Sequence, residues 1–409
     1  MNKNKFLKIV TALTFAFIIF ACQAGKDNRA YYENHTSDSS HSTEKHDDSQ
    51  HNEDHKEEPI VKETKTEEPI VEETKTEEPI VEETKTEEPI VEETKTQEPI
   101  VENDVSYEQF LSSIDNILDP SNVSWPRTII INETEIIISE KPERLATISL
   151  GHDEILFGIT DSSQIVATTS FAQEEGSNIQ SKSKGLPTIS SDPETIIAQD
   201  PDIVFADPFA SPELIDALED FGITVIQTQL NNSIDGRKND VWLMSYITGN
   251  LAKAKSLVEK IDNNIESLNN LVMDLKDPKM KVITLSWWDA YWTAGSGSTE
   301  DSIIQLAGGT NLSAENDVVS NSTIDKELLI SMNPEIILIT QSVQWGGQDF
   351  YDDLLADDSL SSIQAIKNDK VYMVNPNWWG TLSYWNIKGA EELAKILFNV
   401  EQIDGFGDF

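Results

Sequence analysis

Between positions 251 and 275 the chain carries no proline or glycine. Leu251, Ala254, Leu257, Val258, Ile261, Ile265, Leu268, Leu271, Val272 and Leu275 recur there at helical spacing. The pattern predicts one helix of about 25 residues, roughly 37 Å long at 1.5 Å per residue. Pro278 marks its end. On both sides of it, short apolar runs alternate with amphipathic ones. Before it, strands are expected at 144–149, 165–168, 202–206 and 224–227, with helices at 153–159, 194–199 and 212–221. After it, strands are expected at 281–285, 336–340 and 371–374, with helices at 300–307, 327–332 and 387–400. Such alternation predicts parallel sheets covered on both faces. A hairpin around Asn132-Glu133-Thr134 should lead in, over 125–140.

The two halves share one local pattern. Residues 194–205 (Glu194-Thr-Ile-Ile-Ala-Gln-Asp-Pro201-Asp202-Ile-Val-Phe205) parallel residues 327–338 (Glu327-Leu-Leu-Ile-Ser-Met-Asn-Pro334-Glu335-Ile-Ile-Leu338). In each, a short helix stops at Asp or Asn before proline and a buried strand follows. The expected fold class is therefore α/β, with two doubly wound lobes joined by one long backbone helix. The boundaries expected are 105–249, 250–277 and 278–409.

The first quarter of the chain is different. Residues 1–22 have the form of a secretion signal, with Lys3, Lys5 and Lys8 ahead of a 13-residue apolar run from Ile9 to Ala21. Ile19-Phe20-Ala21-Cys22 resembles a bacterial lipobox, whose cysteine is diacylated and becomes the new N-terminus. Phe20 stands where a small residue is usual. Residues 23–104 include four consecutive ten-residue units at 57–96, each close to Glu-Glu-Pro-Ile-Val-Glu-Glu-Thr-Lys-Thr. A proline in every unit breaks helix, and two apolar residues per unit bury too little to offset chain entropy. This stretch is expected to be a disordered, self-repelling acidic tether. Its histidines, His35, His41, His46, His51 and His55, are interspersed with Asp47, Asp48, Glu53 and Asp54. That composition suits either weak capture of zinc, copper or nickel or a solvated spacer.

Charge and cysteine content narrow the classes. The whole 409-residue chain has a formal net charge of −43, which argues against a nucleic-acid partner. Cys22 is its only cysteine, so no internal disulfide and no cysteine-based zinc site is expected. No resident metal or cofactor is expected either.

In parallel α/β sheets ligands sit beyond the carboxyl ends of strands. The second half places Trp287, Trp288, Tyr291, Trp292, Trp345, Trp378, Trp379 and Tyr384 after its expected strands. Together they would form an aromatic wall, suited to stacking on a flat macrocycle or holding a cation. Core packing is the competing assignment, for these and for Trp385. The first half offers Leu150-Gly151-His152, Phe171 and Asp207-Pro208-Phe209 as the opposing wall. His152 is the only histidine beyond residue 104; it either meets the ligand or is structural.

The long helix between lobes and the paired Glu-to-Pro segments resemble the helical-backbone class of substrate-binding proteins. Lys141-Pro142-Glu143-Arg144-Leu145-Ala146-Thr147-Ile148-Ser149-Leu150 is similar to that family's first strand. Ala294-Gly295-Ser296-Gly297-Ser298 and Leu306-Ala307-Gly308-Gly309-Thr310-Asn311 are similar to its second-lobe entry. The resemblance covers residues 125–400. It implies a non-enzymatic, monomeric binding protein of an ABC importer, lipid-anchored on the extracytoplasmic face of the membrane, carrying a ferric siderophore, haem or a corrinoid. It also implies that one acid on each lobe, Glu194 and Glu327, docks the permease dimer. Only Arg127, Arg144 and Arg237 follow residue 104, and none lies in an expected cleft loop. Strongly anionic siderophores are therefore disfavoured, leaving corrinoids and ferric hydroxamates ahead of haem. Two other classes stay open: a carbohydrate-binding or glycoside-cleaving lipoprotein, prompted by the aromatics near Asp289 and Asp301, and a surface adhesin, prompted by the repeats.

Overall fold

A computed structural model describes residues 106–273 and 279–409. The signal segment with Cys22, the repeat tether and its five histidines lie outside the described residues.

Strands β1 (Arg127–Ile131) and β2 (Thr134–Ile138) form the expected antiparallel hairpin. Asn132 and Glu133 both take positive φ, 49° and 65°, as a tight two-residue turn between twisted strands requires. The first lobe then runs β3 (Leu145–Thr147), α1 (Leu150–Ile159), β4 (Ile165–Thr169), β5 (Thr188–Ile189), α2 (Pro193–Ile197), β6 (Ile203–Ala206), α3 (Pro212–Asp220) and β7 (Thr224–Gln227). These strands make one parallel sheet in the order β5-β4-β3-β6-β7.

Helix α4 (Ile234–Thr248) was not anticipated. Consecutive residues Val241 to Thr248 are all buried, so its sequence shows no clean polar face from which periodicity could reveal it. Arg127 ties the hairpin to this helix. Its guanidinium lies 4.1 Å from the Trp125 ring centroid and 4.9 Å from that of Tyr246, and donates to the carbonyls of Tyr246 and Val123. Gly249 ends α4 with φ 74°, a left-handed cap that glycine adopts without a Cβ penalty. The backbone helix α5 (Leu251–Met273) begins two residues later. Its buried positions, among them Leu251, Ala254, Leu257, Val258, Ile261 and Leu268, belong to the stripe read from sequence.

The second lobe comprises β8 (Lys281–Trp287), β9 (Tyr291–Ala294), α6 (Thr299–Leu306), β10 (Thr310–Asn311), β11 (Asn321–Ile324), α7 (Lys326–Met332), β12 (Ile336–Ile339), α8 (Gly347–Ala356), β13 (Val371–Met373) and α9 (Asn386–Phe398). Its sheet runs β11-β9-β8-β12-β13, with β10 beside β8. This sheet is mixed rather than wholly parallel: β8, β9 and β11 pair antiparallel. From sequence the aromatic run is expected to follow the strand at 281–285 as a loop. It is a hairpin instead, turning at Asp289 with φ 59°. Tryptophan and tyrosine favour strands, so Trp287, Tyr291 and Trp292 stay in the ladder.

The repeated segment has one geometry in both lobes. Asp200, three residues beyond α2, and Asn333, the C-cap of α7, take φ 49° and 50°, and proline follows each. The Asp202 carboxylate accepts the backbone N–H groups of Glu143 and Arg144, each at 2.8 Å. Glu335 accepts that of Lys281 at 2.8 Å. Each acid thereby pins the entry of its lobe's central strand. One apolar core joins Leu145, Ile155 and Phe205 of the first lobe, Leu257 and Ile261 of α5, and Ile303, Leu338 and Ile387 of the second. The outer sheet faces pack separately.

Candidate functional site between the lobes

The lobe junction is built around Glu154, buried on α1. Its Oε1 accepts from Asn178 Nδ2 at 2.7 Å, and its Oε2 accepts the hydroxyls of Thr381 and Ser383 from the other lobe. Asn178 also donates to the Asn377 carbonyl at 2.9 Å, and Asn377 Nδ2 donates to the Gly176 carbonyl at 2.8 Å. Burial pushes the Glu154 carboxyl up to about 7 despite these donors.

Arg237 is buried at the same junction, although sequence placed it away from the cleft. It donates to the Leu382 carbonyl at 2.6 Å and to Thr299 Oγ1 at 3.1 Å. Burial lowers its guanidinium to about 10. It binds the two lobes together rather than offering charge to solvent. Asn232 Nδ2 adds a contact to the Gly297 carbonyl at 3.3 Å.

Strand alternation sorts the aromatic residues by face. Val282 and Leu338 belong to the inner core, Ile283, Leu285 and Ile339 to the outer one. Trp287 and Tyr291 continue the outer row. Their ring centroids are 5.0 Å apart, and both approach Phe350 of α8, at 6.2 and 6.0 Å. Trp292 lies on the other face, lining a cavity of about 50 Å³ with Thr284, Ser286, Glu300, Asn321 and Thr340. The continuous wall expected from sequence is thus divided across the sheet. Gln341, which sequence reading missed, couples the strand ends. Its Oε1 accepts the Trp287 N–H at 2.7 Å, and its Nε2 donates to the carbonyls of Trp287 and Trp345. A lone glutamine after a buried strand carries no signal of that role.

Several expected contact residues are withdrawn into the protein. His152 is fully buried, its Nε2 2.7 Å from Thr228 Oγ1 and its ring 5.9 Å from Phe205. Burial pushes its imidazole down to about 3, so it is neutral and closed to a ligand. Trp379 is buried and donates its indole N–H to Glu392 at 2.9 Å. Tyr384 is buried against Gly158 and donates to the Glu154 carbonyl at 3.3 Å. Each was read as wall because it follows a strand. Trp379 and Tyr384 serve packing beside the last helix, and His152 packs within the first lobe against Phe205 and Thr228. Phe209, Trp287 and Trp345 are exposed, while Phe171, Trp288, Tyr291, Trp292 and Trp378 are half-buried.

Glu194 and Glu327 are both exposed, in the first turns of α2 and α7. The side chains of Asp192 and Asp325 cap those helices. Among the described residues no cluster of three or more His, Cys, Asp or Glu is placed to hold a metal ion. Among them, too, no helix is long and apolar enough to cross a membrane.

A family model described as periplasmic binding protein matches residues 145–377. A cobalamin-binding protein of Halobacterium salinarum is 25% identical over 210 residues, covering 51% of this chain and 56% of that protein. The chain therefore spans little more than half the length of the first curated relatives it matches. The uncharacterized ABC transporter substrate-binding lipoprotein YvrC of Bacillus subtilis is 22% identical over 269 residues, 64% of this chain and 82% of that protein. A periplasmic binding protein from Veillonella parvula superposes with a TM-score of 0.58 at 17% identity, covering 67% of this chain and 98% of that one. The periplasmic heme-binding protein HutB of Vibrio cholerae gives 0.55 at 22% identity, with 62% and 98% covered. Two α/β lobes on one backbone helix, with a family match spanning both, place the chain in the periplasmic binding protein family, whose members bind solutes and are not enzymes.

Proposed function

We propose that this protein is the extracytoplasmic substrate-binding component of an ABC importer, held at the membrane by a lipid on Cys22, and that its cargo is a corrinoid. The observation that carries the reading is the inner-face cavity of Trp292 and Glu300 at the carboxyl ends of the second sheet, where α/β proteins receive ligands. It pairs an indole face with an acid and has no cationic side chain in its lining, a surface suited to a neutral or cationic molecule. The cobalamin-binding relative agrees with that chemistry. Haem is the second reading, supported by the heme-binding structural relatives. It is weakened by the burial of His152, the one histidine among the described residues. Ferric hydroxamates remain compatible with the charge. Residues 23–104 serve as the spacer between anchor and lobes, and Glu194 and Glu327 present one acid per lobe to a two-subunit permease.

Titration with cyanocobalamin, haemin and ferrichrome, followed by quenching of tryptophan emission, tests the reading. Saturable one-to-one quenching by cyanocobalamin is expected. Saturation by haemin or ferrichrome alone would reassign the cargo, and cleavage of a polysaccharide would replace the carrier reading with a glycosidase.

A further inference from the structure

The Trp292 cavity has a chemical asymmetry that narrows the cargo further. Its lining hydroxyls and amide come from Thr284, Ser286, Thr293, Asn321 and Thr340. Its one ionisable group is Glu300, in the first turn of α6. Neighbouring polar groups are already committed. Thr293 Oγ1 lies 2.7 Å from Ser313 Oγ, and Asp301 accepts from Gly297 N–H at 3.2 Å and Asn311 Nδ2 at 3.0 Å. Glu300 is half-buried, and it is the acid that the cavity lining presents to an incoming group. Burial pushes it up to about 7. A half-buried acid in a cavity with no cationic side chain in its lining gains from a donor supplied by the ligand.

Volume sets the size of that donor. About 50 Å³ admits a group of a few heavy atoms, not a macrocycle. We infer that the cavity receives a single hydrogen-bond-donating arm of the cargo, a primary amide or an ammonium, with Glu300 as acceptor and Trp292 as the flanking wall. This rests on the corrinoid reading above and extends it from the body of the ligand to its edge. A corrinoid rim carries carboxamide arms, which fit. The same arm as a carboxylate would place two acids side by side, which disfavours their ionisation and weakens binding. Glu300 is thereby a specificity-determining residue that selects amide-edged over carboxylate-edged macrocycles.

The test uses the full chain with cyanocobalamin, a cyanocobalamin derivative whose peripheral amides are hydrolysed to carboxylates, and haemin. Wild type is compared with Glu300→Gln, Glu300→Ala and Glu300→Lys, with circular dichroism confirming that each variant is folded. Wild type is expected to prefer the amide form, by roughly tenfold or more, the range for a hydrogen bond to a charged group. Glu300→Gln keeps an acceptor but loses the charge and adds a donor, so it retains only part of that preference; Glu300→Ala loses it, and Glu300→Lys reverses it toward the carboxylate form. Equal binding of both forms by wild type, or a preference unmoved in Glu300→Ala and Glu300→Lys, overturns the assignment while leaving the corrinoid reading intact. Failure of every corrinoid to bind folded wild type overturns both.

Discussion

The carboxylate of Glu154 accepts a hydrogen bond from the hydroxyl of Ser383, 229 positions later and in the opposite lobe. Thr381 donates to the same oxygen. An acid that is buried and yet satisfied from both lobes acts as a latch on the junction, and it sits on the shared core that α5 also fills. Large hinge opening would have to break this network and part that core together. The two lobes are therefore expected to move only modestly around a ligand.

Protonation should tune that latch. Burial raises Glu154 and Asp153 to about 7 from ordinary values of 4.5 and 3.8. The folded state then holds protons that the unfolded chain releases. Stability from these groups is whole below the unfolded values and is lost as pH rises through 7. His152, pushed down to about 3, acts in the opposite sense, but only as pH falls below its ordinary 6.5. The melting temperature is expected to rise between pH 8 and pH 6.5, and Glu154→Gln to flatten that rise. Identical pH profiles for the two proteins would show that Glu154 does not titrate on unfolding.

Gly158 marks where the second lobe presses on α1. A Cβ there would meet Tyr384 Oη at 2.7 Å and Leu257 Cδ2 at 2.8 Å. Both contacts belong to buried side chains, so neither yields readily. Gly158→Ala should cost about 1–3 kcal/mol through overpacking, against the roughly 0.5–1 kcal/mol that a helical Gly-to-Ala change would otherwise gain. Urea unfolding measures the difference, and a stabilised variant would contradict the packing.

Trp292 and Trp287 separate two accounts of the aromatic residues. The first faces the cavity and the second faces Phe350. Trp292→Ala is expected to weaken ligand binding by about 1.5–3 kcal/mol, through loss of the large apolar wall beside the inserted arm. Trp287→Ala should lose far less affinity while lowering stability through its contact with Phe350. Calorimetry on both variants decides between them; the reverse order would place the ligand on the outer face.

Glu194 and Glu327 predict a split between binding and transport. Both are exposed and neither lines the Trp292 cavity. Charge reversal at both, Glu194→Arg with Glu327→Arg, should leave ligand affinity unchanged and abolish uptake in cells that depend on this importer. Normal uptake would end the docking proposal.

The backbone helix, the hairpin and the paired helix–proline–strand segments were legible from the chain alone. Each rests on local physics: a stripe at helical spacing, an Asn-containing tight turn, a proline that stops a helix. The aromatic run at 287–292 shows where legibility ends. Its place after a strand was visible, but not its own pairing, and the face each ring takes depends on register, where a shift of one residue exchanges the faces. Pairing Ser286 with Trp292 and Trp287 with Tyr291 fixed that register and sent one indole inward and another out. Burial of His152 and Tyr384, the role of Gln341, and the meeting of Glu154 with Ser383 likewise required the lobes to be brought together. Sequence determined the local elements, because their signals lie within a few residues of one another. Tertiary structure alone decided the site, because its groups converge from separate strands and helices, Thr284 to Thr340 in the cavity and Glu154 to Ser383 at the junction.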